Sequence, residues 1–130
     1  MLVLDSNVAL RSCGAADGFA HFGSEDLIAP PVMWSEFRPS LHEALWRREV
    51  ASEDARSTLE RLGQSPIHER SHRRLGEEAW RIADELRWAK TYDAEYIALA
   101  RLMRCRLVTL DGHLLRGARR LGFVIAPGEL

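Results

Sequence analysis

Two aspartates of this 130-residue chain each stand at the end of an apolar run that is typical of a buried strand. Asp5 follows the run from Leu2 to Leu4, and Asp111 follows the run from Leu107 to Leu110. Ligands of open α/β sheets collect at the carboxyl ends of parallel strands. Both carboxylates are therefore predicted to emerge at the same edge of a sheet, where they could hold a hard cation.

Two further acids could join them. Asp93 lies in the first turn of a segment, residues 92–103, that is apolar nearly all round and is predicted to be a buried helix. Glu36 is an acid on a segment otherwise patterned for burial. Four carboxylates in a semi-buried cleft would repel one another, so their convergence would imply a divalent ion with oxygen ligands, Mg²⁺ or Mn²⁺.

Each of these acids also has an ordinary structural interpretation. The alternatives are an Asx turn for Asp5, an N-cap before Gly112 for Asp111, helix-dipole stabilisation for Asp93 and a solvated helix face for Glu36. Spacing in the sequence does not by itself show that the four side chains meet.

The elements that would position these acids alternate between strands and helices. Strands are predicted at residues 2–4, 27–29, 66–70, 107–110 and 123–125, and helices at 7–13, 32–50, 52–62, 71–88, 92–103 and 112–121. This alternation with short loops predicts an α/β fold, a parallel sheet with helices on both faces. At this length the chain is predicted to be one domain, residues 1–130.

Two of the helix boundaries depend on particular residues. Pro39 falls within the pattern of residues 32–50, and a proline in a helix interior costs ~3 kcal/mol or more. Either the helix begins there, with Ser40 and Glu43 as a capping box, or it is kinked. Ser71 and Thr91 are predicted to be the N-caps of the two helices that follow residue 70.

Composition limits the classes of protein that remain. No apolar run approaches the roughly 20 residues of a membrane-spanning helix, and the N-terminus lacks the features of a signal peptide, so a cytoplasmic protein is expected. Cys13 and Cys105 have no CxxC spacing, which argues against a zinc site or a disulfide framework. The net charge of −1 argues against bulk attraction to nucleic acid, although nearly all the positive charge is arginine, which suits forked phosphate contacts.

Four segments together resemble a PIN domain, in the family's order and over nearly the whole chain. They are Val3-Leu4-Asp5-Ser6-Asn7, Ala29-Pro30 followed by Trp34-Ser35-Glu36, Thr91-Tyr92-Asp93-Ala94-Glu95-Tyr96-Ile97-Ala98-Leu99-Ala100, and Leu107-Val108-Thr109-Leu110-Asp111. The most specific piece is the Tyr-Asp-Ala segment followed by the Val-Thr-x-Asp strand. The single-domain length is similar to that of VapC-type ribonuclease toxins. The resemblance implies an α/β/α sandwich and metal-dependent cleavage of RNA phosphodiester bonds.

The resemblance also implies which acids form the site. The family's four acidic positions fall on Asp5, Glu36, Asp93 and Asp111. RNA cleavage by water needs a nucleophile, charge neutralisation at phosphorus and a stabilised leaving oxygen. Asp5 and Asp93 are predicted to be direct ligands of Mg²⁺, with Mn²⁺ as an alternative. Asp111 is assigned to the metal or its waters, and Glu36 to orienting or deprotonating the attacking water.

Other side chains are predicted to support this chemistry. Thr109 falls on the family's frequent hydroxyl position, and it is predicted with Asn7 to hydrogen-bond the acidic groups. Arg73, Arg74 and Arg116 could contact the RNA backbone, although a solvated helix face explains them equally well.

Several other functions are compatible with parts of the sequence. His113 beside Asp111, with His68 and His72, could form a metal-independent nuclease site, but no two of these histidines share a clear face. There is no P-loop, and Asn7 replaces the second acid of an Asp-x-Asp phosphatase loop. A non-catalytic partner-binding domain and a phosphoesterase of other specificity remain as alternatives.

Two kinds of protein partner are expected. The resemblance implies a small cognate antitoxin that wraps the chain and blocks its cleft, and it implies a homodimer. The sequence offers a physical reason for the dimer, because Trp46 and Trp88 near helix ends give more large apolar surface than a small core absorbs. Together with Trp80, these tryptophans could instead stack on bases.

Overall fold

Five short parallel strands form one sheet in the computed structural model, which describes all 130 residues. They are β1 (Leu2–Leu4), β2 (Leu27–Ala29), β3 (Ile67–Glu69), β4 (Arg106–Val108) and β5 (Val124–Ile125). Their order across the sheet is β3-β2-β1-β4-β5. The chain therefore builds outward from β1 to β3 and then returns to the other side of β1. The neighbouring carboxyl ends of β1 and β4 mark the point at which the winding reverses.

Six helices cover the sheet. They are α1 (Ser6–Gly14), α2 (Val32–Trp46), α3 (Ser52–Gly63), α4 (Leu75–Leu86), α5 (Tyr92–Met103) and α6 (Gly112–Ala118), with short 3₁₀ turns at Ala20–Phe22, Arg119–Leu121 and Pro127–Glu129. Right-handed crossovers place α1 to α3 on one face and α4 to α6 on the other. The contacts agree, since α1, α2 and α3 pack against one another and α4 packs against α5. The predicted α/β fold with helices on both faces is confirmed.

The centre of the core is made by β1 and α5. All three residues of β1 are buried, and Ile97 and Leu99 of α5 are fully buried, as the all-round apolar pattern of that helix predicts. They belong to one cluster of 31 buried hydrophobic residues. Cys13 and Cys105 are free thiols, as expected. None of the helices has the length and apolarity that a membrane crossing needs.

The structure resolves the two uncertain helix starts. Helix α2 runs from Val32 through Pro39 to Trp46, so the predicted alternative of a capping box at Ser40 is wrong. Proline has no N–H, so the Ser35 carbonyl lacks its usual helical donor. Ser35 and Pro39 are both exposed, and water can hydrogen-bond that carbonyl instead. Ser71 is also not a cap, because a turn precedes α4.

In that turn, the His72 carbonyl accepts from the Leu75 N–H, and α4 begins only at Leu75. Helix α5 does begin after Thr91, as predicted, although the Thr91 side chain makes no capping hydrogen bond.

Helices α2, α4 and α5 end in the same way. Arg48, Arg87 and Arg104 follow them in the left-handed conformation, with φ of 59°, 58° and 55°. At the end of α4, the Trp88 N–H bonds to the Ala83 carbonyl and the Arg87 N–H bonds to the Asp84 carbonyl. This is the Schellman arrangement that closes a helix. It turns the chain sharply after Arg87 and directs residues 88–91 toward the start of α5.

Candidate active site

Asp5 lies at the carboxyl end of β1 and is almost completely buried, with 3% of its surface exposed. It caps α1, because its Oδ1 accepts a 2.9 Å hydrogen bond from the Val8 N–H. Its Oδ2 accepts a short hydrogen bond from the Thr109 hydroxyl. Burial raises the pKa of Asp5 to about 6, and the two hydrogen bonds oppose that rise. The same carboxyl group is therefore both a helix cap and a strongly perturbed acid.

Thr109, rather than Asp111, stands beside Asp5, one residue past the end of the neighbouring strand. Leu4 is paired with Val108, so the next residues along the two strands are Asp5 and Thr109. The prediction that Asp111 directly follows the strand is wrong, because β4 ends at Val108. Thr109 is fully buried, and its hydroxyl oxygen accepts a 2.9 Å hydrogen bond from the Asp111 N–H. One hydroxyl thus links the two acids.

Asp111 begins α6 as its N-cap, which confirms the capping interpretation of this residue. Its Oδ1 accepts hydrogen bonds from the N–H groups of His113 at 2.7 Å and Leu114 at 3.3 Å. These bonds fix the side chain in place because both donors belong to the first turn of the helix. Oδ2 has no hydrogen-bond donor from the protein and is available to a ligand.

Asp93 lies in the first turn of α5 and leaves 34% of its side chain exposed. Its Oδ2 is 3.6 Å from Nδ1 of His113. The His113 ring in turn packs on the Trp88 ring, with centroids 4.8 Å apart. Burial and then the charge of Asp111 raise the pKa of Asp93, whereas His113 lowers it. Asp93 is therefore a half-buried acid that a ligand can reach from solvent.

Glu36 reaches the site from α2 on the opposite face of the sheet. Its Oε1 accepts a 2.5 Å hydrogen bond from the hydroxyl of Tyr96, a residue of α5 that is 1% exposed. Burial, followed by the charges of Asp93 and Asp111, raises the pKa of Glu36, while the tyrosine hydrogen bond lowers it. Burial also raises the pKa of Tyr96, so the phenol remains the donor.

Neighbouring carboxylates add to the effect of burial on the pKa values of three of these acids. The pKa values of Asp5 and Glu36 are each raised by the charges of Asp93 and Asp111, and that of Asp93 is raised by Asp111. Contacts join the four acids as well. Thr109 bonds both to Asp5 and to the Asp111 N–H, and His113 contacts Asp93 and donates its backbone N–H to Asp111. Glu36 and Asp93 line one cavity. The structure therefore gathers all four at the carboxyl edge of the sheet, next to the reversal point between β1 and β4.

This donor set suits a hydrated magnesium ion better than a fully dehydrated one. No three of the chain's His, Cys, Asp and Glu side chains are arranged to hold one ion directly. Mg²⁺ usually keeps several waters and is bound by one or two carboxylates. Hard carboxylate oxygens fit such an ion, since its positive charge would relieve the repulsion by which Asp111 and Asp93 raise the pKa of Asp5.

The other predicted site residues are distributed differently. Asn7 is exposed on α1 and makes no side-chain hydrogen bond with the protein. Arg116 folds back over the start of its helix, since a Cβ at Gly112 would lie 2.7 Å from its Nη1. That position is next to the cap Asp111, so Arg116 is near the acidic edge.

Arg73 and Arg74 are not brought to the acids. They precede α4, whose other end adjoins Asp93 through Trp88 and His113. The 12 residues of α4 span about 18 Å, which separates these arginines from the site. Arg74 also lies within 4.0 Å of Glu77.

Sequence reasoning missed Tyr96 and gave His113 too little weight. Tyr96 lies three residues after Asp93, so the two occupy neighbouring positions on one face of α5, which is the signal that could have found it. The sequence presents His113 only as part of an alternative histidine site, whereas in the structure this exposed side chain contacts Asp93. Tertiary structure alone reveals that contact.

Comparison with known proteins places this arrangement among described families. Residues 2–120 match the family model described as PIN domain. The chain is 31% identical over 113 residues to VapC ribonuclease Mb0985 of Mycobacterium bovis and to Ribonuclease VapC9 of Mycobacterium tuberculosis, covering 85% of this chain and 86% of each relative.

Two solved structures share the fold. The crystal structure of PAE2754 from Pyrobaculum aerophilum superposes with a TM-score of 0.73 at 22% identity, over 98% of this chain and 85% of that one. A toxin-antitoxin complex from Klebsiella pneumoniae gives a TM-score of 0.64 at 19% identity, over 98% of both chains.

Proposed function

We propose that this chain, which belongs to the PIN domain family, is a metal-dependent endoribonuclease, because it gathers four acids at one sheet edge. Its substrate would be RNA phosphodiester bonds, and its role would be that of the toxin in a toxin–antitoxin pair. The names of the relatives, VapC ribonuclease and Ribonuclease VapC9, support the activity. The observation that carries the proposal is the set of contacts that brings the four acids to one edge of the sheet. Thr109 donates to Asp5 and accepts from the Asp111 N–H, while His113 contacts Asp93 and donates its backbone N–H to Asp111. Glu36 and Asp93 line the same cavity.

Asp5 and Asp93 would hold the ion directly, and Asp111 would contact its bound waters through the oxygen that caps no N–H. Mg²⁺ is the proposed ion, with Mn²⁺ as a substitute of similar ligand preference. Such an ion supplies charge neutralisation at phosphorus and lowers the pKa of bound water. Thr109 keeps the Asp5 carboxylate in place through its hydroxyl, and the cap of α1 fixes the other oxygen.

Glu36 would take the proton from the attacking water. Tyr96 occupies only its Oε1, which leaves Oε2 to accept that proton. The raised pKa of Glu36 suits this role, because a general base works best when its pKa lies nearer to the working pH. The oxygen that leaves the cleaved bond would be protonated from solvent or by a neighbouring group.

The first test is cleavage of single-stranded RNA by the purified chain. We expect cleavage with Mg²⁺ or Mn²⁺, none after chelation, and none by Asp93→Asn. Asp84→Asn, an exposed carboxylate on α4, should cleave like the unmodified chain. Cleavage that persists in chelator would overturn the metal dependence. Absence of any cleavage would favour a non-catalytic binding domain, and equal turnover of small phosphodiesters would favour a general phosphoesterase.

A second readout does not depend on activity. A ligand that binds only the folded state raises the unfolding temperature by mass action. Mg²⁺ should therefore raise the unfolding temperature of the unmodified chain and of Asp84→Asn, and it should have little effect on Asp93→Asn. An equal rise in all three proteins would show that the ion binds elsewhere.

Two partners are part of the proposal. The fold is shared with a toxin-antitoxin complex of Klebsiella pneumoniae, which supports an antitoxin as the natural partner of this chain. A homodimer is supported by the exposure of Trp46 and Trp80, which leave 82% and 68% of their surface in solvent. Trp88 is not part of this surplus, because it packs against His113 and Gly117 within the chain. The cytoplasmic location stays a prediction.

A further inference from the structure

A cavity of about 500 Å³ opens directly beside the acidic site, and the proposed chemistry leaves most of its lining unused. Glu36 and Asp93 form its border with the site. The remainder comes mainly from the connection between α4 and α5, which contributes two aromatic rings and two cations. These are Trp88, Tyr92, Arg87 and Lys90.

These side chains are a set that recognises a nucleotide. An aromatic ring offers a face on which any base can stack, and a cation beside it can neutralise a phosphate. Tyr92 is 55% exposed, so its ring is available to a ligand. Arg87 and Lys90 are both exposed, and neither forms an ion pair within the chain. The neighbouring acids would hold one phosphodiester through a metal ion. The two unpaired cations are therefore placed to bind a second phosphate of the same strand.

Local structure fixes the cavity in shape. The left-handed Arg87 ends α4 and turns Trp88 back toward the site. Trp88 then lies so close to α6 that a Cβ on Gly117 would be 2.9 Å from its Cζ2, a separation that real Cβ atoms do not show. Gly117 is thus the residue that allows Trp88 to pack there and form one wall of the cavity.

We infer that this cavity binds one nucleotide of single-stranded RNA adjoining the phosphate that is cleaved, with its base stacked on Tyr92 or Trp88 and a phosphate held by Arg87 and Lys90. The inference rests on the proposed ribonuclease function and gives a role to residues outside the four acids. A single strand is required because bases in a duplex are stacked on one another and cannot present a free face. An acidic peptide could satisfy the cations but would make no use of the aromatic rings.

The test measures binding separately from cleavage. The Asp5→Asn chain, in Mg²⁺, is titrated against a fluorescent single-stranded oligoribonucleotide of about 12 mixed nucleotides, a length within the range that one OB-fold domain covers. In that background we expect Tyr92→Ala to weaken binding at least about fivefold and Tyr92→Phe to keep the affinity, because stacking needs the ring and not the hydroxyl. Lys90→Ala should weaken binding, and Lys90→Arg should restore it.

Salt dependence distinguishes the two kinds of contact. Removing one phosphate contact should lower the slope of log affinity against log salt by about 0.7 for a single strand. Lys90→Ala and Arg87→Ala should show this change, whereas Tyr92→Ala should lower affinity without it. Controls away from the cavity are Leu59→Ala, an exposed large apolar side chain on α3, and Arg56→Ala, an exposed cation on α3, and both should bind like the parent.

Gly117→Ala provides an independent variant, because it would displace Trp88 without touching the ligand. It should weaken binding while the cation variants keep their effect on the salt slope.

Three results would overturn the inference. One is unchanged affinity in both Tyr92→Ala and Lys90→Ala. Another is equal affinity for duplex RNA, and the third is competition by polyglutamate as effective as that by unlabelled single-stranded RNA. Cleavage of RNA by the unmodified chain, which keeps Asp5, is measured in parallel. If that chain cleaves RNA and the variants bind normally, only the subsite is wrong. If it does not cleave and the variants bind weakly, the subsite holds and the proposed nuclease activity fails.

Discussion

The hydroxyl of Tyr96 donates a 2.5 Å hydrogen bond to the carboxylate of Glu36, and this bond joins the two helical layers across the edge of the sheet. Tyr96 belongs to α5 and Glu36 to α2, which lie on opposite faces. With a side chain that is 1% exposed, Tyr96 is held rigidly by the core. It therefore sets the position of a carboxylate that α2 alone would leave free to change rotamer.

Tyr96→Phe should reduce cleavage through kcat more than through KM, because it removes the group that orients Glu36. The tyrosine hydrogen bond lowers the pKa of Glu36, so its loss should raise that pKa further. The acid limb of the pH–rate profile should then move to higher pH. A change in stability alone would leave that limb in place.

A double-mutant comparison controls for general damage. If Tyr96 acts only through Glu36, Tyr96→Phe should add little to the loss already caused by Glu36→Gln. Independent, fully additive losses would show that Tyr96 has another role.

Asp5→Asn should stabilise the metal-free protein above about pH 6. The pKa of Asp5 is about 6 in the folded chain against an ordinary value of 3.8, so between these values the folded state binds more protons than the unfolded state. Stability of the unmodified chain must fall as pH rises through this window. The asparagine variant lacks this loss, and its advantage should reach up to about 3 kcal/mol above the window.

Urea unfolding at a series of pH values measures this difference. The gap between the unmodified chain and Asp5→Asn should be small near pH 4 and should widen toward pH 7. Asp84→Asn serves as the control and should show no such widening, since that side chain is exposed. A constant gap at all pH values would mean that Asp5 is not the titrating group.

Glu78→Gln should destabilise the fold by about 1–3 kcal/mol. Its side chain is 7% exposed and accepts hydrogen bonds from Arg81 at 3.2 Å and Arg101 at 3.1 Å, which ties α4 to α5. The adjacent Glu77, 64% exposed in its side chain, is the matched control, and Glu77→Gln should change stability by less than about 0.5 kcal/mol. Equal effects in urea unfolding would show that the buried bridge adds nothing.

Light scattering at micromolar concentration should give a dimer mass for the isolated chain. Trp46 and Trp80 are the largest exposed apolar side chains, and a symmetric contact through either would remove it from water. Trp46→Arg or Trp80→Arg, whichever lies in the contact, should give the monomer mass, while the other variant remains dimeric. A monomer mass for the unmodified chain would contradict the proposal.

Local sequence determined most of the elements and the acids that follow them. The strand at residues 2–4 and the helix Tyr92–Met103 were predicted with their observed bounds, because unbroken apolar runs are unambiguous once the core must bury them. The helix start predicted at Ser71 and the alternative start at Pro39 were wrong, because each of these residue types has two uses. Ser71 can cap a helix or lie in a turn, and Pro39 costs less when the carbonyl that loses its donor faces solvent.

The tertiary structure decided which residues meet. The strand order, which places β4 beside β1, makes Thr109 the neighbour of Asp5 although 104 residues separate them. The two helical layers likewise bring Tyr96 to Glu36 from 60 residues away. No periodic pattern in the sequence predicts either pair. Each pair depends on the register of parallel strands that are joined by long crossovers. The sequence by itself determined the four acids and most of the elements that position them, and only the packing of both layers on one sheet decided which hydroxyls, histidine and cations surround them.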